Sequence, residues 1–177
     1  LQIEDGKGRG YLLEVDSSNR VRAAAVVRKE IVAVSEVEGK AFIAETNFTT
    51  TGTNQIFFYL KNDDTALNLH INRIIMNTNS ASMFHLYKVT GTTTGGNAVT
   101  PTNLNFNSSD TASVTCLGGA SITGLSTTKL HHARILASDT MMVEWAGAII
   151  LGNGDAIAIE CTTNTTFATC SVEFYFD

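Results

Sequence analysis

From Asn54 to the end of the chain, short runs of β-branched and aromatic residues alternate with clusters of turn formers. That rhythm leaves few folds open. Strand-like runs stand at "QIFFYLKN", "LNLHINRIIM", "SMFHLYKVT", "ASVTCLG", "TMMVEWAG", "GAIILG", "DAIAIECT" and "FATCSVEFYF". Most are separated by "NDDT", "NTNSA", "GTTTGG", "NSSD", "LGNG" or "TTNTT". Threonine suits strands because its branched Cβ restricts χ1, while Asn, Asp and Gly supply turns. Pro101 is the only proline, so the turns rest on those three. No helical pattern alternates with the strands, which argues against a doubly wound sheet, and no solenoid or propeller period is present. The pattern predicts an all-β chain, specifically a β-sandwich of the jelly-roll kind.

The last two runs alternate most cleanly. Ile157, Ile159 and Cys161 share one face, and Ala156, Ala158 and Glu160 the other. Further on, Cys170, Val172, Phe174 and Phe176 face one way, and Ser171, Glu173 and Tyr175 the opposite way. Cys161 and Cys170 thus belong to core faces. They meet only if these strands form a tight hairpin, and strands in separate sheets would keep them apart. Reduced core thiols are the expected state. Cys116, Cys161 and Cys170 show neither a CxxC pair nor a metal spacing.

The first part of the chain reads differently. "GKGRG" places Gly6, Gly8 and Gly10 around Lys7 and Arg9, followed by Tyr11. A phosphate loop needs GxxxxGK[ST] between a strand and a helix, so that backbone N–H groups and a lysine surround the phosphates. Here no Ser or Thr follows Lys7, and the strand-forming "YLLEV" comes next. The dinucleotide fingerprint fails for the same lack of a following helix. Alternating glycines instead predict an extended arm whose backbone lies close against a neighbour. Gly6, Lys7, Gly8, Arg9, Gly10 and Tyr11 are the expected partner contacts. "YLLEV-DSSN-RVRAAAVV" then reads as a hairpin turning at Asp16–Asn19. In "EIVAVSEVEGKAFIAE", Ile31, Ala33 and Ser35 alternate with Val32, Val34 and Glu36. The β-branched run and Gly39 favour a strand covered on both faces over a helix. Residues 1–46 are therefore expected to form the arm and hairpin segment, and residues 47–177 the sandwich.

Charge and chemistry narrow the function. The chain has 177 residues, 16% of them charged, and a net charge of −5. This is enough length for a buried core, and the acidic balance argues against a dedicated nucleic-acid binder. No apolar run reaches the roughly 20 residues of a membrane helix. No signal peptide is legible, and the first residue is Leu1 rather than Met. Adjacent His131 and His132 point to opposite faces of a strand and rarely ligate one metal together, so a site there would need Asp139, Glu144 or a symmetry mate; His70 and His85 stand within other strands, facing the pleat or an interface. No GxSxG elbow occurs, and Asp63-Asp64 sits in "KNDDT", where carboxylates shape a turn. The sequons at Asn47, Asn107 and Asn164 are what a chain rich in Asn and Thr produces by chance. Trp145 and Tyr87 could stack on sugar rings, but "MMVEWAGAII" reads as core or subunit contact. The residues imply no cofactor and no metal. The Gly91–Asn107 loop is long and polar, and is expected to serve subunit or host contact.

Two resemblances bear on the role. "IILGNGDAIAIECTTNTTFATCSVEFYFD" resembles the closing strands of trimeric jelly rolls such as the tumour-necrosis-factor and C1q-like domains, which implies a jelly roll and a trimer. Over most of the chain, the order "GKGRGYLLEVDSSNRVR", "GKAFIAE", "FYLKNDDTALNLHINRII", "FHLYKVTGTTTGGNAVTPTNLNFNSSDTA" and "GAIILGNGDAIAI" resembles small tailed-bacteriophage virion proteins. That likeness implies a non-enzymatic part of the particle: an oligomeric capsid decoration or cement protein, or a tail or fibre component that binds a receptor or glycan. The implied partners are further copies of the chain and a major capsid or other virion protein. No nucleic acid or membrane is implied, and the implied location is the virion.

Overall fold

A computed structural model describes residues 14–15, 21–22, 30–49, 52–165 and 167–177. In chain order the elements are β1 (Glu14–Val15), β2 (Val21–Arg22), α1 (Glu30–Glu38), β3 (Ala41–Phe48), β4 (Gln55–Asn62) and β5 (Leu69–Thr78). There follow β6 (Ser82–Thr94), β7 (Asn97–Ala98), β8 (Thr102–Asn103), β9 (Val114–Ile135), β10 (Asp139–Leu151), β11 (Ala156–Cys161) and β12 (Ala168–Phe176). The short β1 and β2 pair antiparallel, Val15 opposite Val21. The remaining strands form two antiparallel sheets, ordered β10-β5-β12-β3-β8 and β4-β11-β6-β9-β7. From β3 onward the chain changes sheet at every long connection except that from β6 to β9, which are neighbours. That strand order makes the all-β sandwich a jelly roll.

The core between the sheets follows from alternation. Ile157, Ile159 and Cys161 of β11 meet Cys170, Val172, Phe174 and Phe176 of β12 in one buried cluster, with Phe57 and Phe58 of β4 also inside. Phe48 and Phe57 stack with ring centroids 3.5 Å apart, and Phe84 stands edge-on to both. Because β11 and β12 belong to different sheets, Cys161 and Cys170 are not joined, and all three cysteines are free and buried.

The second sheet closes on itself. The first half of β9 pairs with β4, from Asn62 opposite Val114 to Ile56 opposite Ile122. Its second half pairs with β6, from Thr94 opposite Thr123 to Ser82 opposite Ile135. One strand thus spans both edges of β4-β11-β6 and covers their outer face. Tyr59, Tyr87, Val89, Ile122, Ala156 and Ala158 form a second core beneath it. Gly124 permits the turn: its φ is +84°, and a Cβ there would strike the Thr92 carbonyl.

One expectation is overturned. Residues 30–38 form a helix rather than a strand. Ile31 and Val34, three apart, are buried on one side, whereas Val32 and Val37 are exposed. Packing on Ala41 and Tyr175 outweighs the β-propensity of the valines. Gly39, read as a mark against a helix, is its terminator: with φ +65° it sits where a left-handed residue ends a helix. β3 runs through position 46 and pairs along its length with β12, so it belongs to the sandwich. "TMMVEWAG" and "GAIILG" are one strand, β10, interrupted by a bulge between Glu144 and Ile149.

Candidate functional site

The Gly91–Asn107 loop is more ordered than its polarity suggests. After β8, alternate asparagines fold the backbone. Asn103 Oδ1 accepts from the Asn105 N–H at 2.8 Å, and Asn105 Oδ1 from the Asn107 N–H at 3.1 Å. The side-chain amides face α1: Asn105 Nδ2 donates to the Ser35 carbonyl at 2.9 Å and Asn103 Nδ2 to the Gly39 carbonyl. Ser35 stands in the last turn of α1, where carbonyls run out of partners within the helix, and Gly39 is the residue that ends it. Asn103 also donates to the Asp110 carbonyl at 3.0 Å, closing the loop. Between the second and third asparagine stands Phe106, 88% exposed. The sequence had singled out this loop but not this ring. The available signal was a lone aromatic within Asn-x-Asn-x-Asn.

A second constellation lies on the outer face of β6, β11 and β9. Glu160 Oε1 accepts from the Tyr87 hydroxyl at 3.0 Å and lies 2.9 Å from His85 Nδ1. Lys129 Nζ donates to His85 Nε2 at 3.3 Å. Burial, reinforced by Glu160, pushes the Tyr87 phenol up to about 12. The four groups are mutually satisfied, which makes this a cross-strand brace. His132 stands near His85, ring centroids 6.3 Å apart, while His131 turns inward against Trp145. Among the described residues no three His, Cys, Asp or Glu side chains converge to hold a metal.

The two aromatics considered as sugar platforms are both turned into the protein. Tyr87 belongs to the second core, and Trp145 packs against the main one. Trp145 Nε1 is buried without a hydrogen-bond partner among the described residues. His70 stacks on Tyr175 at 5.0 Å, with Nδ1 3.2 Å from the Gly147 carbonyl. Asp64 shapes its turn as expected, accepting from the N–H groups of Ala66 and Leu67 at 2.9 and 3.0 Å. Burial pushes the Cys116 thiol up to about 12 and raises that of Cys170 as well, opposite to the shift a nucleophilic thiolate needs.

The expected arm contacts, Gly6, Lys7, Gly8, Arg9, Gly10 and Tyr11, and the Asp16–Asn19 turn lie outside the described residues. The fold defines a class, an antiparallel β-sandwich with jelly-roll strand order. Beyond that class, comparison with protein-family models, curated proteins and solved structures finds no match.

Proposed function

We propose that this chain is a non-enzymatic structural protein of a bacteriophage particle. In this reading it is an oligomeric capsid decoration or cement protein whose N-terminal arm contacts neighbouring subunits. The ordered motifs from "GKGRG" to "GAIILGNGD" suggest the particle, and the position of Phe106 carries the reading as a contact protein. A large apolar ring 88% exposed, on a loop held by the side chains of Asn103 and Asn105, is pre-organised for docking. A second apolar spot supports self-association: Met142, 54% exposed on the edge strand β10, stands opposite Ile75 of β5, on the face turned away from the core.

The test is attachment to the particle. An antibody against this chain is expected to label intact virions of the phage that encodes it. Co-sedimentation of the purified chain with those virions is expected to weaken when residues 1–10 are deleted or Phe106 is replaced by alanine. Unlabelled virions would refute the particle role. Full attachment by both variants would refute the arm and the loop as the anchors.

A further inference from the structure

Asn153-Gly154, in the turn between β10 and β11, is the only Asn-Gly pair in the sequence. Glycine carries no Cβ to shield its own backbone nitrogen, so in an open chain that nitrogen reaches the preceding Asn side chain without hindrance. Both residues are exposed, and no atom lies within 4 Å of where a Gly154 Cβ would stand. Water therefore has access to the pair.

The fold nevertheless holds both groups that would react. Asn153 Nδ2 donates to the Asp64 carbonyl at 2.9 Å, and the Gly154 N–H donates to the Asn62 carbonyl at 2.8 Å. These acceptors stand at the end of β4 and in the turn after it, a segment fixed by the fully buried Asn62 side chain. Asn62 Nδ2 donates to the Leu67 and Leu151 carbonyls, each at 2.9 Å, and Oδ1 accepts from the Asp64 N–H at 2.9 Å. The Asn62 N–H donates to the Asp155 carbonyl at 3.1 Å. One buried asparagine thus clasps two turns that are distant in sequence, and every polar group of that residue is satisfied.

We propose that Asn153 is a site of spontaneous deamidation, kept closed by this clasp and released when the two turns part. In the reaction the Gly154 nitrogen gives up its proton and bonds to Asn153 Cγ. The Cγ–Nδ2 bond breaks, and ammonia leaves with that proton. Water then opens the cyclic imide at either carbonyl, giving Asp or isoAsp at position 153. The net change is one water in and one ammonia out, with nothing oxidised or reduced. The folded chain opposes the first step twice. The Asn62 carbonyl keeps the proton on the Gly154 nitrogen, and the Asp64 carbonyl holds the amide that would have to turn toward it. The product holds the clasp open, because a carboxylate at position 153 has no donor for the Asp64 carbonyl and repels its oxygen. A transient opening of the turns becomes permanent.

The test follows Asp and isoAsp at position 153 in the full-length chain, by peptide mass spectrometry with isoaspartate labelling, in mildly alkaline buffer with and without urea. Conversion is expected to be on the order of tenfold or more slower in the native chain, since it proceeds only from the opened turns. Asn62→Ala, shown folded by circular dichroism, is expected to lose most of that protection. Should it fail to fold, Asp64→Ala replaces it, which removes only the acceptor for the Ala66 and Leu67 N–H groups and is expected to speed conversion severalfold. Equal rates in the native and urea-unfolded chain overturn the proposal, as does a folded variant that protects Asn153 as fully as the wild type. Hydrogen exchange at Gly154 reads the product state: Asn153→Asp is expected to exchange faster there than the wild type, and an unchanged rate overturns the permanent opening.

Discussion

Asn105 reaches 70 residues back along the chain to donate its side-chain amide to the Ser35 carbonyl at 2.9 Å. This bond makes the loop after β8 the cap of the helix before β3. It also fixes the backbone on either side of Phe106. Replacing Asn105 by alanine removes the donor to the helix and the acceptor for the Asn107 N–H together. The expected cost is about 1–2 kcal/mol, the range for hydrogen bonds lost at a partly solvated site. Urea unfolding followed by circular dichroism measures it. An unchanged midpoint would mean that the helix end is satisfied by water and the loop is held by other contacts.

The bulge in β10 makes a prediction of opposite sign at neighbouring positions. Ala146 has φ +48° and Gly147 φ +81°. Left-handed backbone costs an L-residue with a Cβ about 1–2 kcal/mol, partly offset by the greater entropy glycine loses on folding. Ala146→Gly is therefore expected to raise stability by up to about 1 kcal/mol. Gly147→Ala is expected to lower it, since the new Cβ would collide with the Tyr175 hydroxyl as well as incur the strain. Thermal melts of the two variants give the signs. Destabilisation by Ala146→Gly would show that the alanine methyl contributes packing that outweighs its backbone cost.

The three cysteines are expected to behave as core residues. Cys161 is fully buried, with its sulfur 3.0 Å from Ser82 Oγ and donating to the Thr163 carbonyl at 3.3 Å. Cys116 and Cys170 lie in the same core cluster, their thiols raised by burial. An aromatic disulfide reagent at neutral pH is expected to modify none of the three thiols of the folded chain and all three after denaturation. Rapid modification of any one would show that the sandwich opens near it, and a count of one after denaturation would show a disulfide.

Much of the sandwich is legible because burial there is two-sided and periodic. β11 reads Ala-Ile-Ala-Ile-Glu-Cys, and its two sets of alternate residues enter two different cores. The second half of β9 was not legible as a strand. Its side chains from Thr123 to Arg134 are all exposed or half-exposed, so pairing with β6 leaves no hydrophobic period in the sequence. The helix was misread for the converse reason: two buried positions in nine residues are too few to outvote its four β-branched residues. Phe106 was missed because its setting depends on hydrogen bonds to residues about 70 positions away.

The turn between β4 and β5 should carry part of the acid sensitivity of the fold. Burial pushes the Asp63 carboxyl up, but donors from Lys61 at 2.7 Å and Thr115 at 2.6 Å more than compensate and hold it below the usual carboxylate range. The N–H groups of Ala66 and Leu67 hold Asp64 below that range too. A carboxyl whose folded value lies below its unfolded value of about 3.9 stabilises the fold above that pH. The contribution is lost as pH falls through the lowered folded value, so stability is expected to decline below about pH 4. Asparagine at both positions can still accept from the same donors through its amide oxygen but cannot titrate. The double variant Asp63→Asn, Asp64→Asn is therefore expected to show a shallower fall in unfolding free energy below about pH 4 than the wild type. Parallel curves for the two proteins would place the acid-sensitive groups elsewhere.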